Sequence, residues 1–176
     1  MIMAENGNHH GNNDVEILKA CRDIEHIAEE IYRFYAETFK DNPRIKSLWE
    51  KTADEEKNHA LQFELAIKLR TGMIEGSNGD SFVVCNTLKF LRSLLDGIKK
   101  SKPALSEALR SAIKFEEHLA QFHLSCIAIF RDERFKNMFT AMMAADNEHV
   151  ESLQNEYENL LHNQHNPVFT ETTSHF

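Results

Sequence analysis

Apolar residues recur at spacings of three and four through most of this chain, interrupted by short polar joints, and that period predicts amphipathic helices. The first runs from Asp14 to Lys40 and is stopped by the Asp-Asn-Pro at 41–43. Pro43 suits the opening position of a second helix reaching about Arg70, where Thr71-Gly72 closes it. The segment 76–80, rich in Gly, Ser, Asn and Asp, reads as a loop, and Ser81 to Lys100 as one further short helix. Pro103 opens the next long helix, to about Arg131; a turn at Asp132 and Glu133 separates it from the last, Arg134 to near His162. Only six glycines and three prolines interrupt 176 residues, so the expected class is all-α.

Connection lengths give the topology. Short joints within the first and last pairs of long helices make two antiparallel hairpins, and the long middle connection lets the second and third long helices run parallel. The expected architecture is a four-helix bundle over 14–162, with a disordered segment at 1–13 and a flexible tail at 163–176.

Composition narrows the chemistry. Acidic residues outnumber basic ones 28 to 20, and a net charge of −8 argues against nucleic acid and anionic membranes as partners. No apolar run approaches the roughly 20 residues of a membrane span. Met1 to Asn13 lacks the apolar core of a secretory signal. Cys21, Cys85 and Cys126 are an odd number without a C-x-x-C pair, which suits a reducing cytoplasm rather than a disulfide framework.

An internal repeat carries the candidate site. Glu25 precedes Glu56 by 31 residues and Glu116 precedes Asp146 by 30. Each second carboxylate has a histidine three residues on, giving Glu56-x-x-His59 and Asp146-x-x-His149, and each first one a ring seven on, Tyr32 and His123. On a helical wheel Glu56 and His59 fall inside the stripe Ile45, Trp49, Thr52, Ala60, Phe63, and Asp146 and His149 inside Phe135, Phe139, Met142, Leu153. Glu116 and His123 sit within Leu109, Ala112, Leu119, Ile127, while Glu117 and His118 point away. Glu25 lies at the edge of the stripe Ile17, Cys21, Ile24, Ala28, Ile31, Tyr35.

Carboxylates on core faces cost several kcal/mol each unless compensated. None of these stripes holds a lysine or arginine, so the expected countercharge is a pair of divalent cations balancing four carboxylates. Carboxylate-rich sites with one imidazole per ion suit iron or manganese, and zinc can occupy them in a preparation. Oxidation of both ions leaves two surplus positive charges for oxygen-derived anions, which points to oxygen chemistry. His123 is open to two roles, an outer hydrogen-bonding partner or an extra ligand. The remaining histidines at the polar ends carry no assigned site.

One Glu from each of two helices with an E-x-x-H from each of the other two resembles the metal-site pattern of ferritin-like di-iron carboxylate proteins. Within these, the segments Ile31-Tyr32, Asp54 to Ala60, Ala108 to Glu116 and Ala145 to Val150 resemble the ligand-bearing segments of the rubrerythrins, a likeness spanning about residues 15 to 160. The resemblance implies a ferritin-like four-helix bundle holding two iron ions between Glu25, Glu56, His59, Glu116, Asp146 and His149, with Tyr32 and His123 beside them. It implies reduction of hydrogen peroxide or dioxygen in a homodimer; an iron-storage protein with ferroxidase activity, or a metal-stabilised interaction protein without turnover, are the other readings. The chain departs from the family pattern at Asp146, where Glu is usual, and at Leu119, where rubrerythrins carry a further glutamate. Without a C-x-x-C pair for a rubredoxin domain, an external electron-donor protein is implied.

Overall fold

The computed structural model describes residues 9–69, 81–129 and 132–165, and these form five helices with no strand among them. They are α1 (His9–Thr38), α2 (Pro43–Leu69), α3 (Ser81–Lys100), α4 (Leu105–Ile129) and α5 (Glu133–His165). Helix α1 starts at His9, so residues 9–13 are helical where a disordered segment was expected, and α5 runs past His162 to His165. The stop at Thr71-Gly72, the loop at 76–80, Phe130 and most of the expected tail lie outside the described residues.

Local chemistry sets the helix starts. Asn42 caps α2, its Oδ1 accepting from the Ile45 amide at 3.3 Å, ahead of Pro43. Helix α4 begins two residues after Pro103, because Ala104 takes the cap position: its amide donates to Glu107 Oε2 at 3.0 Å while its carbonyl accepts from Ala108 at 2.9 Å. That is the glutamate half of a capping box. Asp132 caps α5, accepting from the Arg134 amide at 2.8 Å.

Side-chain pairs fix the helix directions. Between α1 and α2, Arg33 pairs with Asp54 while Glu25 approaches His59, so the two run antiparallel. Between α4 and α5, Glu116 meets His149 and His123 meets Asp146, again antiparallel. Tyr32 reaches Glu116 and Glu25 reaches His123, which sets α1 against α4 in the same sense. Phe63 packs on Phe139 and Arg44 pairs with Glu156 across α2 and α5. Two antiparallel hairpins therefore face each other with α2 parallel to α4, as the connection lengths require.

Helix α3 lies in the crossover, packed on the outside of α1 with Leu91, Leu95 and Ile98 buried at helical spacing and Lys99 paired to Glu30. The expected stripes are the core: Ile17, Cys21, Ile24, Ala28, Ile31 and Tyr35 of α1, Trp49 and Phe63 of α2, Leu109 and Leu119 of α4, and Phe139 and Leu153 of α5 are all buried. No described helix is long and apolar enough to cross a membrane.

Candidate metal centre

The sequence placed ionisable groups on four apolar stripes, and the bundle brings them to one level of its core. Glu25, Glu56, Glu116, His123 and Asp146 are fully buried, and His59 and His149 nearly so. Glu25 is as enclosed as the others although its stripe position is marginal, because α4 supplies His123 to cover it. Among the described residues no lysine or arginine is buried beside them.

Two triads can hold an ion. Glu25, Glu56 and His59 offer ligand atoms within 4.8 Å of one another, and so do Glu56, Glu116 and His149. Glu56 belongs to both: its Oε2 lies 3.2 Å from His59 Nδ1 and its Oε1 3.3 Å from His149 Nδ1. The i, i+3 spacing of Glu56 and His59 places both on one helical face, and the neighbouring hairpin brings His149 to the other side of the same carboxylate. Glu116 Oε2 sits 3.2 Å from His149 Nδ1.

Asp146 is in the cluster but in neither triad. His123 Nδ1 lies 2.6 Å from Asp146 Oδ2 and its Nε2 3.1 Å from Glu25 Oε1, both at hydrogen-bonding distance. Both ring nitrogens are thus engaged by carboxylates, which is the geometry of an outer partner. A side chain one methylene shorter than glutamate leaves Asp146 against His123 instead of between the triads.

The electrostatics follow from burial. Desolvation pushes the Glu25 carboxyl up to about 8, with His123 pulling the other way. Glu116 rises to about 7, through burial and then the Glu56 charge, partly offset by His149. Burial also pushes Glu56 up, but contacts with His149 and His59 more than reverse it, and it ionises well below the usual carboxylate range. Burial opposes protonation of the imidazoles, yet Glu116 and Glu56 hold His149 up at about 11. His59 is raised by Glu56 and Glu25, and His123 well raised by Asp146 and Glu25, each against its burial.

Two groups finish the site. The Tyr32 hydroxyl donates to Glu116 Oε1, as its position seven residues after Glu25 allows, and burial followed by the Glu116 charge raises its pKa well above the phenolic value. Glu55 was not singled out by the sequence. Its Oε2 lies 2.6 Å from His149 Nε2, so the ring turns Nδ1 to the triad and Nε2 to this carboxylate. A metal-binding histidine ordinarily has such a partner behind it. The available signal was the doubled acid Glu55-Glu56, which puts a second carboxylate one residue round the helix toward α5.

The donor set fits a metal pair. Glu25 Oε2 and Glu56 Oε1, both in the triads, are buried without a hydrogen-bond partner among the described residues, a deficit of several kcal/mol that cations at the triads would offset; Asp146 Oδ1, outside them, is likewise unpartnered.

Helices in this order and direction around carboxylate–histidine triads define the ferritin-like class of helical bundle. A sequence model described as Rubrerythrin matches residues 16–157, and the chain belongs to the rubrerythrin family. Among solved structures, the chain is similar to the crystal structure of symerythrin from Cyanophora paradoxa, reduced with dithionite: TM-score 0.58, 18% identity, 90% of each chain covered, which shows a shared fold. No curated protein matches the sequence.

Proposed function

We propose that this chain is a non-haem di-iron oxidoreductase reducing hydrogen peroxide, or dioxygen, with electrons from an external donor protein. The observation that carries the reading is Glu56, one carboxylate shared by two buried triads that have no buried lysine or arginine beside them among the described residues. Two iron ions would be held there, one by Glu25, Glu56 and His59 and one by Glu56, Glu116 and His149, with manganese or zinc able to take the same positions. When bound, such a pair supplies two electrons in one-electron steps, the number that cleaves one O–O bond.

The chain's own groups do the rest. Glu25 and Glu116 flank the shared carboxylate, and Glu55 keeps the His149 ring turned toward it. Reduction of peroxide to two waters consumes two protons as well as two electrons. His123 carries an N–H toward both Glu25 and Asp146, and Tyr32 an O–H toward Glu116, so these are protons held at the edge of the site. Phe63 and Phe139, tilted against each other with centroids 5.5 Å apart, wall one side with hydrocarbon and keep bulk water out.

We assign the protein to a reducing cytoplasm, where buried Cys21 and Cys126 remain thiols, and to a homodimer joined through exposed apolar residues such as Leu61 and Leu65 of α2. Sedimentation giving a single chain or a many-subunit shell would remove the dimer. Stopped-flow absorbance tests the reaction. Ferrous-loaded protein mixed with peroxide should oxidise rapidly, and slow or absent oxidation defeats the proposal. Glu56→Ala and His149→Ala should each lower iron content; full occupancy in both would show that the metal lies elsewhere.

A further inference from the structure

Two rings on the Glu116 side of the centre are arranged for more than packing. The Tyr32 ring stacks on Trp49 with centroids 5.7 Å apart and planes 12° from parallel, while its hydroxyl donates to Glu116 Oε1. Tyr35 also meets the indole, with centroids 5.1 Å apart and planes at a steep 52°. All three side chains are excluded from solvent. Trp49 Nε1 is buried without a hydrogen-bond partner among the described residues. A ring needed for volume alone would avoid that unmet donor, since a phenyl group fills apolar space at no polar cost.

We propose that Tyr32 and Trp49 are a one-electron relay: an electron passes between the stacked rings while the Tyr32 phenolic proton moves along its hydrogen bond to Glu116 Oε1. The parallel stack gives overlap for the electron, and Glu116 gives the proton a place to go. Trp49 has no base beside Nε1, so an oxidised indole there keeps its proton and remains a strong oxidant. Tyr32 is the stable resting place for the electron vacancy. In the step, oxidised Trp49 gains one electron and returns to the neutral indole, Tyr32 loses that electron and its O–H proton, and the Glu116 carboxylate becomes a carboxylic acid. The relay rests on the redox reading above for its use in turnover, where a peroxide-derived one-electron oxidant would take an electron from Trp49 and Tyr32 would then restore it by the same step.

The pair can be tested without metal. Trp49 is the chain's only tryptophan, so a laser flash at the red edge of protein absorption photo-oxidises it selectively, with a dissolved cobalt(III) complex taking up the ejected electron. In the metal-free native protein at a pH above the Glu116 value of about 7, where that carboxyl is ionised, the indole-radical absorbance should decay as the tyrosyl absorbance grows. Tyr32→Phe should abolish that growth and lengthen the indole-radical lifetime about tenfold or more. Glu116→Gln, which removes the proton acceptor, should slow the growth, and Tyr35→Phe should leave both signals unchanged. Absence of tyrosyl growth in the native protein, unaltered kinetics in Tyr32→Phe, or loss of growth in Tyr35→Phe would each overturn the relay. No iron takes part, so a negative result leaves the peroxide assay untouched, and a negative peroxide assay leaves this result standing.

Discussion

Glu55 shows how much a single side chain outside the repeat contributes at the residue scale. With Nε2 held at 2.6 Å by Glu55, His149 has one orientation, and Nδ1 meets Glu56 and Glu116 without a search over ring flips. Glu55→Ala should therefore weaken metal binding at the Glu56–Glu116–His149 triad by about 10–100-fold while leaving the Glu25–Glu56–His59 triad filled, read by metal titration of the purified variant. Loss of both ions together, or of neither, would show that Glu55 does not act through His149. The residues that lie on helical faces, Glu56, His59, Glu116 and His149, were legible in the sequence because burial follows helical period. Glu55 was not, because its partner comes from another helix, whereas the asymmetry between Glu56 and Asp146 was signalled by the shorter acid at 146 where the family has glutamate. Both follow from reach across the bundle: a methylene more lets Glu56 join two triads, and a methylene less keeps Asp146 against His123.

At the scale of elements, the site is only as well placed as the helices that meet around it. Phe139 packs on Phe63 at 5.5 Å and on His123 at 5.9 Å, so one α5 side chain ties the α2 and α4 faces together beside the triads. Phe139→Ala should cost about 3–5 kcal/mol in a urea titration of the metal-free protein, through lost burial and the cavity left behind. A change under about 1 kcal/mol would mean that the bundle collapses freely into the gap. At the start of α5, Asp132→Ala removes the acceptor of the Arg134 amide and should cost about 1 kcal/mol by the same measurement. The helix order and hairpins could be read from the three–four spacing and the breakers. The starts were harder: Ala104 is a poor cap by its side chain and serves because Glu107 reaches back to it, while α1 extends to His9 through polar residues that carry no apolar stripe.

Considered as one molecule, the protein gathers its buried charge at a single level of the bundle, and its stability should depend on what neutralises that charge. Without metal, protons do so. Glu25 at about 8 and Glu116 at about 7 bind a proton more tightly folded than unfolded, as does His149 at about 11. Each of these stabilises the fold fully below its unfolded pKa and loses that contribution as pH rises through the folded value. Glu56 has the opposite shift, but its contribution is complete once pH exceeds the ordinary carboxyl range. The metal-free protein should therefore lose thermal stability as pH goes from about 5 to about 8. Metal reverses the dependence. Ligands must shed their protons to bind, so affinity at the triads rises over the same interval, and the stabilisation conferred by a fixed free-metal concentration rises with it. Melting curves with and without ferrous ion under anaerobic conditions should thus diverge as pH is raised. Curves that keep a constant separation would mean that ion binding displaces no protons from Glu25, Glu116 or the histidines, and hence that the ions are not held by these triads.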